Sequence, residues 1–345
     1  MASDDVTRYT VVVRTHGGAG IGLGHLRRCV TLAEALAARG VVVRFVVNED
    51  PSVRGFLRRH AIESVGVPAD ETADLSRTAG LAAEWGAHAL VVDCYDVPGA
   101  CLSTLGRLVV VVIDDLADRE LPVRLVINGG ADAGDLIYRV APATRLLLGP
   151  RYCILRAEFG RDTVRSIREA PERVLVTVGG EDSFGLTPRL VAWTREALGM
   201  TRIDVVIGPF FTAAVAVEVA RLARDNRRVV IHEAPDSMRE LMLECDLAVT
   251  GGGQTVYELA ATGTPALAIT MADNQVGGVR ALAAMKALAW AAAAGDLDLE
   301  ARVRKALRDL SDDSRRRAMS DAARRLVDGR GAARAAAAIL EACSQ

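Results

Sequence analysis

The chain alternates short apolar runs with segments in which apolar residues recur at helical spacing. Short apolar runs are typical of buried strands, and their alternation with helices is typical of a parallel α/β sheet. In the first half of the chain, strands are predicted at residues 9–14, 41–47, 89–93, 108–114 and 125–128. Helices are predicted at residues 26–39, 52–60, 78–85 and 98–105.

The periodicity breaks at residues 151–171, which are interpreted as an interdomain connection. Beyond it, strands are predicted at residues 173–178, 203–207, 228–232, 247–250 and 266–269, with helical segments between them. From residue 274 onward the pattern is helical, and helices are predicted at 279–294, 297–310, 314–327 and 331–343. The last of these have apolar residues at helical spacing, which is typical of amphipathic packing helices.

A chain of 345 residues suits two domains of about 150 residues each. The predicted fold class is α/β, with a Rossmann-like domain at residues 1–150, a second at 172–295, and C-terminal helices at 296–345. Ligands of such sheets bind at the carboxyl ends of the strands. We therefore expect the two parallel sheets to face a central cleft.

Composition excludes several classes of partner. The net charge is −2 and aromatic residues make up 4% of the chain, which argues against nucleic acid. The apolar runs are too short for a membrane span, and the polar, acidic N-terminus is unlike a signal peptide. Six scattered cysteines without metal-ligand spacing predict no metal site and fit a reducing cytoplasm. A monomer or a homodimer is expected.

The most informative motif begins at Gly251-Gly252-Gly253, where a predicted strand runs into a helix that opens at Gln254 and Thr255. Bare backbone N–H groups and the positive end of a helix dipole together favour an anion. Glu258 lies one helical turn beyond Gln254, where its carboxylate can accept hydrogen bonds from a ribose diol. The motif predicts a nucleotide-sugar site, and the alternative is a tight turn that merely needs glycine.

A second glycine-rich turn, containing Gly20, Gly22 and Gly24, follows the first strand. Its spacing does not satisfy the G-x-G-x-x-G fingerprint, so a dehydrogenase is only weakly supported. His25 opens the next helix, where the dipole favours a neutral imidazole that can act as a base. A capping histidine is the alternative. His16 ends the preceding strand and is a second candidate catalytic residue. Arg27 and Arg28 follow His25; one of them could contact a diphosphate, and the alternative is that both are solvated.

Further polar residues follow other predicted strands. Asp93 and Tyr95 lie at a strand end, where side chains often point toward a ligand, and they are candidate substrate-binding residues. Asp114 and Asp115 close another strand and are interpreted as ordinary turn residues.

Together these residues resemble the UDP-sugar hydrolases of pseudaminic acid synthesis (the PseG type) and the related SpsG spore-coat proteins. Both groups belong to the GT-B superfamily with the MurG-type glycosyltransferases. The resemblance extends from residue 14 to about residue 295. It rests on segments 21–28, 92–95, 113–116, 148–159 and 179–182, on Gly252 and Gly253 with Glu258, and on Asn274-Gln275.

The resemblance implies a GT-B-like fold and a nucleoside diphosphate held by the second domain, with the sugar reaching toward His25. It implies that Glu258 holds the ribose and that residues 252–255 hold the diphosphate, with Gly180 in a neighbouring substrate-binding segment. Asn274 and Gln275 would contact the sugar or a phosphate. In the hydrolases, water displaces UDP at the anomeric carbon with a histidine as the general base and with no metal or other cofactor.

Two departures from the family pattern leave the reaction open. His16 and Gly18 stand where an aspartate and a serine are usual, and Gln254 stands where a serine is usual. Hydrolysis of a nucleotide-diphosphate sugar, with inversion at C1, is the first hypothesis. Transfer of the sugar to a small acceptor by a GT-B glycosyltransferase is the second. A binding or regulatory protein without catalysis is a third.

Overall fold

The computed structural model describes residues 9–18, 24–68, 71–95, 97–106, 108–233, 235 and 237–345. The chain divides into two compact units. The first unit comprises Met1–Ala157 with Arg330–Gln345, and the second comprises Glu158–Gly329. The last helix of the chain therefore belongs to the first unit, whereas the sequence pattern had grouped it with the other C-terminal helices. The cleft expected between the two sheets stays a prediction.

Strands alternate with helices through both units. The strands are β1 Thr10–Thr15, β2 Val42–Asn48, β3 Ser64–Val67, β4 Ala89–Asp93, β5 Val109–Ile113, β6 Glu120–Leu121, β7 Leu125–Asn128, β8 Arg139–Val140, β9 Arg145–Leu148, β10 Arg173–Thr177, β11 Arg202–Ile207, β12 Val229–Glu233, β13 Leu247–Gly251, β14 Ala266–Thr270 and β15 Ala289–Ala293. The helices are α1 Gly24–Ala37, α2 Pro51–Arg59, α3 Glu71–Glu84, α4 Gly99–Leu102, α5 Thr187–Leu198, α6 Ala213–Asp225, α7 Met238–Glu244, α8 Thr255–Thr262, α9 Val276–Ala284, α10 Leu299–Asp309, α11 Asp313–Leu326 and α12 Gly331–Cys343.

The first unit is built on a parallel sheet with the strand order β3-β2-β1-β4-β5-β7-β9. Alternate residues of β1 point to opposite faces, as the period of a strand requires. Val11 and Val13 join a core with residues of α1, α2 and α12, while Val12 joins a core on the other face. The sheet thus has apolar layers on both sides, which fits its nearly continuous apolar strands.

The second unit contains a parallel sheet with the order β12-β11-β10-β13-β14-β15. Its main core combines β10, β11, β13 and β14 with α5, α10 and Met319 of α11. These two sheets confirm the predicted α/β class with parallel sheets in two domains. Among the described residues, no helix combines the length and the apolar character that crossing a membrane requires.

The prediction of one helix over residues 279–294 is wrong. The structure has α9 over Val276–Ala284 and then the strand β15, Ala289–Ala293. β15 pairs with β14 through Leu267 with Ala289 and Ala268 with Trp290. Alanine favours helices in isolation, so here the pairing with a buried neighbouring strand outweighs the local preference.

Two strands of the first sheet were missed, and two helices differ in length from the prediction. β3 and β9 are four-residue edge strands, too short to give a recognisable apolar alternation. α3 begins seven residues before the predicted start at residue 78, and the helix predicted at 98–105 is the single turn α4. These differences lie at the margins of the sheet and leave the predicted central strands in place.

Candidate active site

Each sheet reverses its strand order once, and the candidate residues gather at these points. In the first sheet β1 lies between β2 and β4, and in the second sheet β10 lies between β11 and β13. Ligands of open α/β sheets bind at the carboxyl ends of the strands where the order reverses. Thr15 and Asp93 are partners in register at the end of β1 and β4, so the loop that leads to His25 starts beside Asp93.

The turn after β1 is fixed by the residues that follow β2. The side chain of Asn48 accepts from the Gly17 amide at 3.1 Å and donates to the Gly17 carbonyl at 3.0 Å. Gly18 has φ of 112° and packs against the Asp50 carboxylate, so a side chain there would be strained and would collide. Asp50 also caps α2 by accepting from the Ser52 amide at 2.7 Å. Asn48 and Asp50 therefore stabilise the turn after β1 and the start of α2.

His25, in the first turn of α1, contacts Asp93 at the end of β4. The Nδ1 atom of His25 lies 2.7 Å from Oδ1 of Asp93. The His25 side chain is 12% exposed and the Asp93 side chain is fully buried. The pair therefore has one partner that solvent still reaches and one that is held inside the unit.

Arg28 joins this pair to a second carboxylate. Its Nε and Nη2 atoms donate to the two oxygens of Asp93 at 2.7 and 2.6 Å. Its Nη1 atom donates to the two oxygens of Asp115 at 2.9 and 2.7 Å. The Arg28 guanidinium thus has donors directed at two carboxylates, and its contact with a diphosphate stays a prediction.

Two aromatic rings complete the network around His25. The Tyr95 hydroxyl donates to Oδ2 of Asp115 at 2.7 Å, and the Tyr95 ring meets the His25 ring edge-to-face at 4.6 Å between centroids. The His16 ring also meets the His25 ring edge-to-face, at 5.5 Å. We call His16, His25, Arg28, Asp93, Tyr95 and Asp115 the His25 network.

The charges of the His25 network fix the tautomer of His25. Burial alone raises the pKa of Asp93, but the charge and hydrogen bonds of Arg28 and the contact with His25 hold this pKa well below its usual range. Asp93 is therefore an anion that can only accept, so Nδ1 of His25 carries the hydrogen of their bond. The other ring nitrogen, Nε2, is left with a lone pair, as a general base requires.

The neighbouring groups stay in fixed charge states. Burial lowers the pKa of Arg28, but Asp115 and Asp93 raise it well above its usual value, so Arg28 remains a cation. Burial first and the Asp115 charge second raise the pKa of Tyr95, so its phenol remains neutral. Burial of the Cys29 thiol, which donates to Asp93 at 3.3 Å, raises the pKa of Cys29 as well.

In the second unit, the glycine-rich turn after β13 is packed closely against its neighbours. A Cβ atom on Gly251 would lie 2.5 Å from the Val178 carbonyl oxygen, and one on Gly252 would lie 2.9 Å from a methyl group of Val279. α8 follows, with Gln254 as its N-cap residue and no hydrogen bond from a capping side chain. The N–H groups of Val256, Tyr257 and Glu258 donate to the carbonyls of Gly253 and Gln254 at 3.0–3.3 Å, so an anion would meet the N–H groups of the turn that leads into α8.

The predicted residues around this turn have different surroundings. Gln275 accepts from the Met271 amide at 2.8 Å through Oε1, and the same oxygen lies 3.0 Å from a Cβ built on Gly252. Gln275 therefore helps to shape the turn. Asn274 is exposed, and Gly253, Thr255 and Glu258 are half-buried.

Three glycines at predicted positions have open space around them among the described residues. A Cβ atom on Gly24 or Gly180 would meet none of these residues within 4 Å, and one on Gly253 would come no nearer than 3.9 Å to Gln275. The Gly180 carbonyl accepts from the Phe210 amide at 3.0 Å, which places Gly180 on the loop after β10. Open space at these positions is compatible with close approach of a ligand to the backbone.

The structure brings together His16, His25, Arg28, Asp93 and Tyr95 of the predicted site, and it adds Asp115, which the sequence pattern indicates as a turn residue. Gly20 and Gly22 lie outside the described residues. The sequence does contain one indication that Asp115 belongs to the site: the pair Asp114-Asp115 directly follows β5, the strand next to β4. Within the described part of the chain, no group of three or more His, Cys, Asp and Glu side chains could hold a metal ion.

Comparison with known proteins extends the picture. No family model matches the chain. It is 25% identical to the spore coat polysaccharide biosynthesis protein SpsG of Bacillus subtilis, over 95% of this chain and 97% of SpsG. A Helicobacter pylori protein, named pseudaminic acid cytidylyltransferase and UDP-2,4-diacetamido-2,4,6-trideoxy-beta-L-altropyranose hydrolase, is 23% identical over 74% of this chain and 43% of that protein.

Among solved structures, MurG of Acinetobacter baumannii matches with a TM-score of 0.70 and 14% identity, over 96% of this chain and 99% of MurG. The chain has the GT-B fold. The resemblance to SpsG and to the pseudaminic acid enzyme is thereby confirmed, and the likeness to MurG is one of fold. In this GT-B chain the His25 network lies in the first unit, and the turn before α8 lies in the second.

Proposed function

We propose that the protein cleaves the bond between the anomeric carbon and the diphosphate of a nucleotide-diphosphate sugar, and that water is the acceptor. The observation that carries this proposal is the contact of His25 Nδ1 with Asp93 at 2.7 Å. It leaves Nε2 as a base on a side chain that is still partly exposed. The GT-B fold and the likeness to nucleotide-sugar proteins support this class of substrate.

The His25 network suits the chemistry of the step. Nε2 of His25 takes a proton from water as the water oxygen bonds to C1 and the C1–O bond to the diphosphate breaks. The electron pair of that bond leaves with the nucleoside diphosphate, and attack from the opposite face inverts C1. The imidazolium that forms is stabilised by Asp93, as a charge-assisted hydrogen bond in a buried place would do.

We assign the nucleotide to the second unit. The glycine-rich turn that leads into α8 offers backbone N–H groups to the diphosphate, and Glu258 in the first turn of α8 offers its carboxylate to the ribose. Helix dipole and N–H groups stabilise the leaving diphosphate, so the reaction is proposed to need no metal and no other cofactor. The H. pylori protein's name includes a UDP-sugar hydrolase, which supports uracil as the base of the nucleotide.

Transfer to a small acceptor is the second candidate. His16 stands at the position where the PseG pattern has an aspartate, and its ring lies 5.5 Å from that of His25. Compared with the PseG pattern, an imidazole replaces a carboxylate beside His25, the proposed base, and so alters the groups that an acceptor would meet near C1. Gln254 replaces a serine in the turn before α8. These departures favour an acceptor other than water.

One experiment separates the two candidates. The protein is first screened for thermal shifts with UDP, GDP, TDP and CMP, and then incubated with sugars of the nucleotide that binds, in the presence of EDTA. Proton NMR recorded directly after mixing follows the anomeric signal. Hydrolysis predicts free sugar with inverted C1 and one nucleoside diphosphate per sugar. Release only after a second substrate is added would identify a transferase, and loss of release in EDTA would contradict metal independence.

A further inference from the structure

Asp115 is the member of the His25 network that the proposed mechanism has not used. Its carboxylate accepts from Arg28 Nη1 at 2.9 and 2.7 Å and from the Tyr95 hydroxyl at 2.7 Å. Its side chain is 29% exposed, and that of Arg28 is 16% exposed. Hydrogen bonds therefore join Asp115 to Arg28 and to Tyr95, and both of these side chains lie against His25.

The sum of charges shows what Asp115 contributes. Arg28 is a cation whose Nη2 atom lies 3.1 Å from Nδ1 of His25, so by itself it opposes the positive charge that His25 acquires as a base. The negative charge of Asp93 by itself only cancels the positive charge of Arg28. With Asp115 as a second anion, the groups around a neutral His25 carry a net charge of about −1, which favours the imidazolium.

Among the described residues, the charged and titratable groups in contact with His25 come from α1 and from the ends of β1 and β4. Arg28 lies on α1 with His25, Asp93 ends β4, Tyr95 follows β4, and His16 follows β1. Asp115 follows β5 and reaches His25 only through Arg28 and Tyr95. Within the His25 network, Asp115 is thus the charged residue that acts on His25 without contacting it.

We propose that Asp115 is a positioning residue with two separate effects: it offsets the charge of Arg28, which sets how strongly His25 holds a proton, and it holds the Tyr95 ring against the imidazole. The inference rests on the proposed role of His25 as the base.

A second consequence follows from the direction of the Tyr95 hydroxyl. Because its hydrogen points to Asp115, only the oxygen lone pairs of Tyr95 remain for a substrate, so Tyr95 can accept from a sugar hydroxyl or amide.

The test is the titration of His25 by NMR in the full chain, without substrate. The chain has 5 histidines, and the spectrum of His25→Ala assigns the signal. Asp115→Asn removes one negative charge, so the titration midpoint of His25 is expected to fall by on the order of one pH unit. The acid limb of the kcat/KM profile moves to lower pH by the same amount, and kcat at its plateau falls because the base is weaker.

Matched variants separate charge from structure. Asp115→Glu restores the charge and is expected to return the midpoint most of the way to that of the wild type. Tyr95→Phe keeps the charge and is expected to lower kcat severalfold with the midpoint unchanged. Asp118→Asn removes a carboxylate that is 56% exposed from the same loop, and screening by solvent is expected to leave both quantities unchanged.

An unchanged or higher midpoint in folded Asp115→Asn would overturn the inference. If Asn at this position prevents folding, Asp115→Ser makes the same change of charge with a smaller side chain. The titration needs no turnover, so it gives its answer even if no nucleotide sugar is cleaved. Conversely, if cleavage depends on His25 but the titration midpoint of His25 is the same in Asp115→Asn as in the wild type, this inference is wrong and the proposed function is unaffected.

Discussion

His25 Nδ1 and Asp93 Oδ1 lie 2.7 Å apart, although 68 positions separate the two residues in the chain. The contact exists because β1 and β4 are neighbours in a parallel sheet, so the loop after β1 and the end of β4 meet at one edge. It joins a buried anion to a partly exposed imidazole. The chemistry that we propose depends on this relationship.

The first prediction concerns the charge of Asp93. Asp93→Asn replaces the anion by a neutral amide that can also donate to Nδ1, so the correct tautomer and the imidazolium both lose their support. We expect kcat for nucleotide-sugar cleavage to fall by about 10²–10⁴-fold. The fall is measured in a coupled assay for the released nucleoside diphosphate.

The control for this variant touches the same carboxylate. Cys29→Ala removes only the thiol contact of 3.3 Å to Asp93 and leaves the charge and the bond to His25 in place. Its kcat is expected to stay within about fivefold of the wild type, since a weak thiol donor contributes little. If Asp93→Asn and Cys29→Ala lose the same amount of activity, packing around Asp93 and not its charge is what matters.

The second prediction concerns Glu258 in the first turn of α8. Glu258→Ala is expected to abolish the thermal shift produced by the nucleoside diphosphate, because the ribose loses its acceptor. Glu240 occupies the first turn of α7 and is exposed, so Glu240→Ala is a matched control with an expected wild-type shift. A wild-type shift in Glu258→Ala would remove the ribose assignment.

The third prediction contrasts two glycines of the second unit. A Cβ on Gly180 meets nothing within 4 Å, whereas one on Gly251 would lie 2.5 Å from the Val178 carbonyl oxygen. Gly180→Ala is therefore expected to keep the wild-type melting temperature and to weaken nucleotide binding. Gly251→Ala is expected to lower the melting temperature by several degrees. Calorimetry and binding titrations on both variants measure the contrast, and normal binding by Gly180→Ala would argue against close approach there.

The fourth prediction concerns a buried carboxylate that stabilises the second sheet. Asp204 accepts from Arg173 Nη2 at 3.1 Å and from Arg202 Nη2 at 2.9 Å, and it lies 2.7 Å from His232 Nε2. Burial raises the pKa of Asp204, but these hydrogen bonds outweigh burial and lower it. Asp204→Asn leaves partly exposed cations without their partner, so we expect the free energy of unfolding to fall by about 2 kcal/mol at pH 7.

The pH dependence follows from the sign of that shift. The unfolded chain has an aspartate pKa of about 3.9, and the folded chain has a lower one. The stabilisation is therefore complete above about pH 4 and is lost as the pH falls through the folded value. Urea denaturation should show wild type and Asp204→Asn converging below about pH 4. Asp225→Asn, in an exposed ion pair with Arg221, should follow the wild type throughout.

The sequence predicted the central strands well because their apolar runs are continuous and the turns after them are rich in glycine. It failed at β15, where an alanine-rich segment forms a strand only because β14 lies beside it. No local pattern contains that information. The single-turn helix α4 and the short strands β3 and β9 likewise depend on neighbours that the sequence does not name.

The candidate site was predicted as single residues rather than as a network. His25 stood out because it opens a helix after a glycine-rich turn, and Asp93 and Tyr95 because they lie at a strand end, but their pairing depends on the order of β1, β4 and β5 in the sheet. For the same reason the sequence does not show that Arg28 contacts the carboxylates of Asp93 and Asp115, and Asp115 was interpreted as part of a turn. The assignment of the nucleotide to Glu258 and the turn before α8 stays a prediction.

The central claim is that His25 acts as the base in cleaving a nucleotide sugar and has no part in holding the nucleotide. The most direct measurement compares wild type and His25→Ala for two quantities: kcat for release of nucleoside diphosphate, and Kd for that nucleoside diphosphate by calorimetry. We predict that kcat falls at least about 10²-fold while Kd stays within about twofold. Wild-type turnover by His25→Ala, or an equal loss of binding and turnover, would contradict the account.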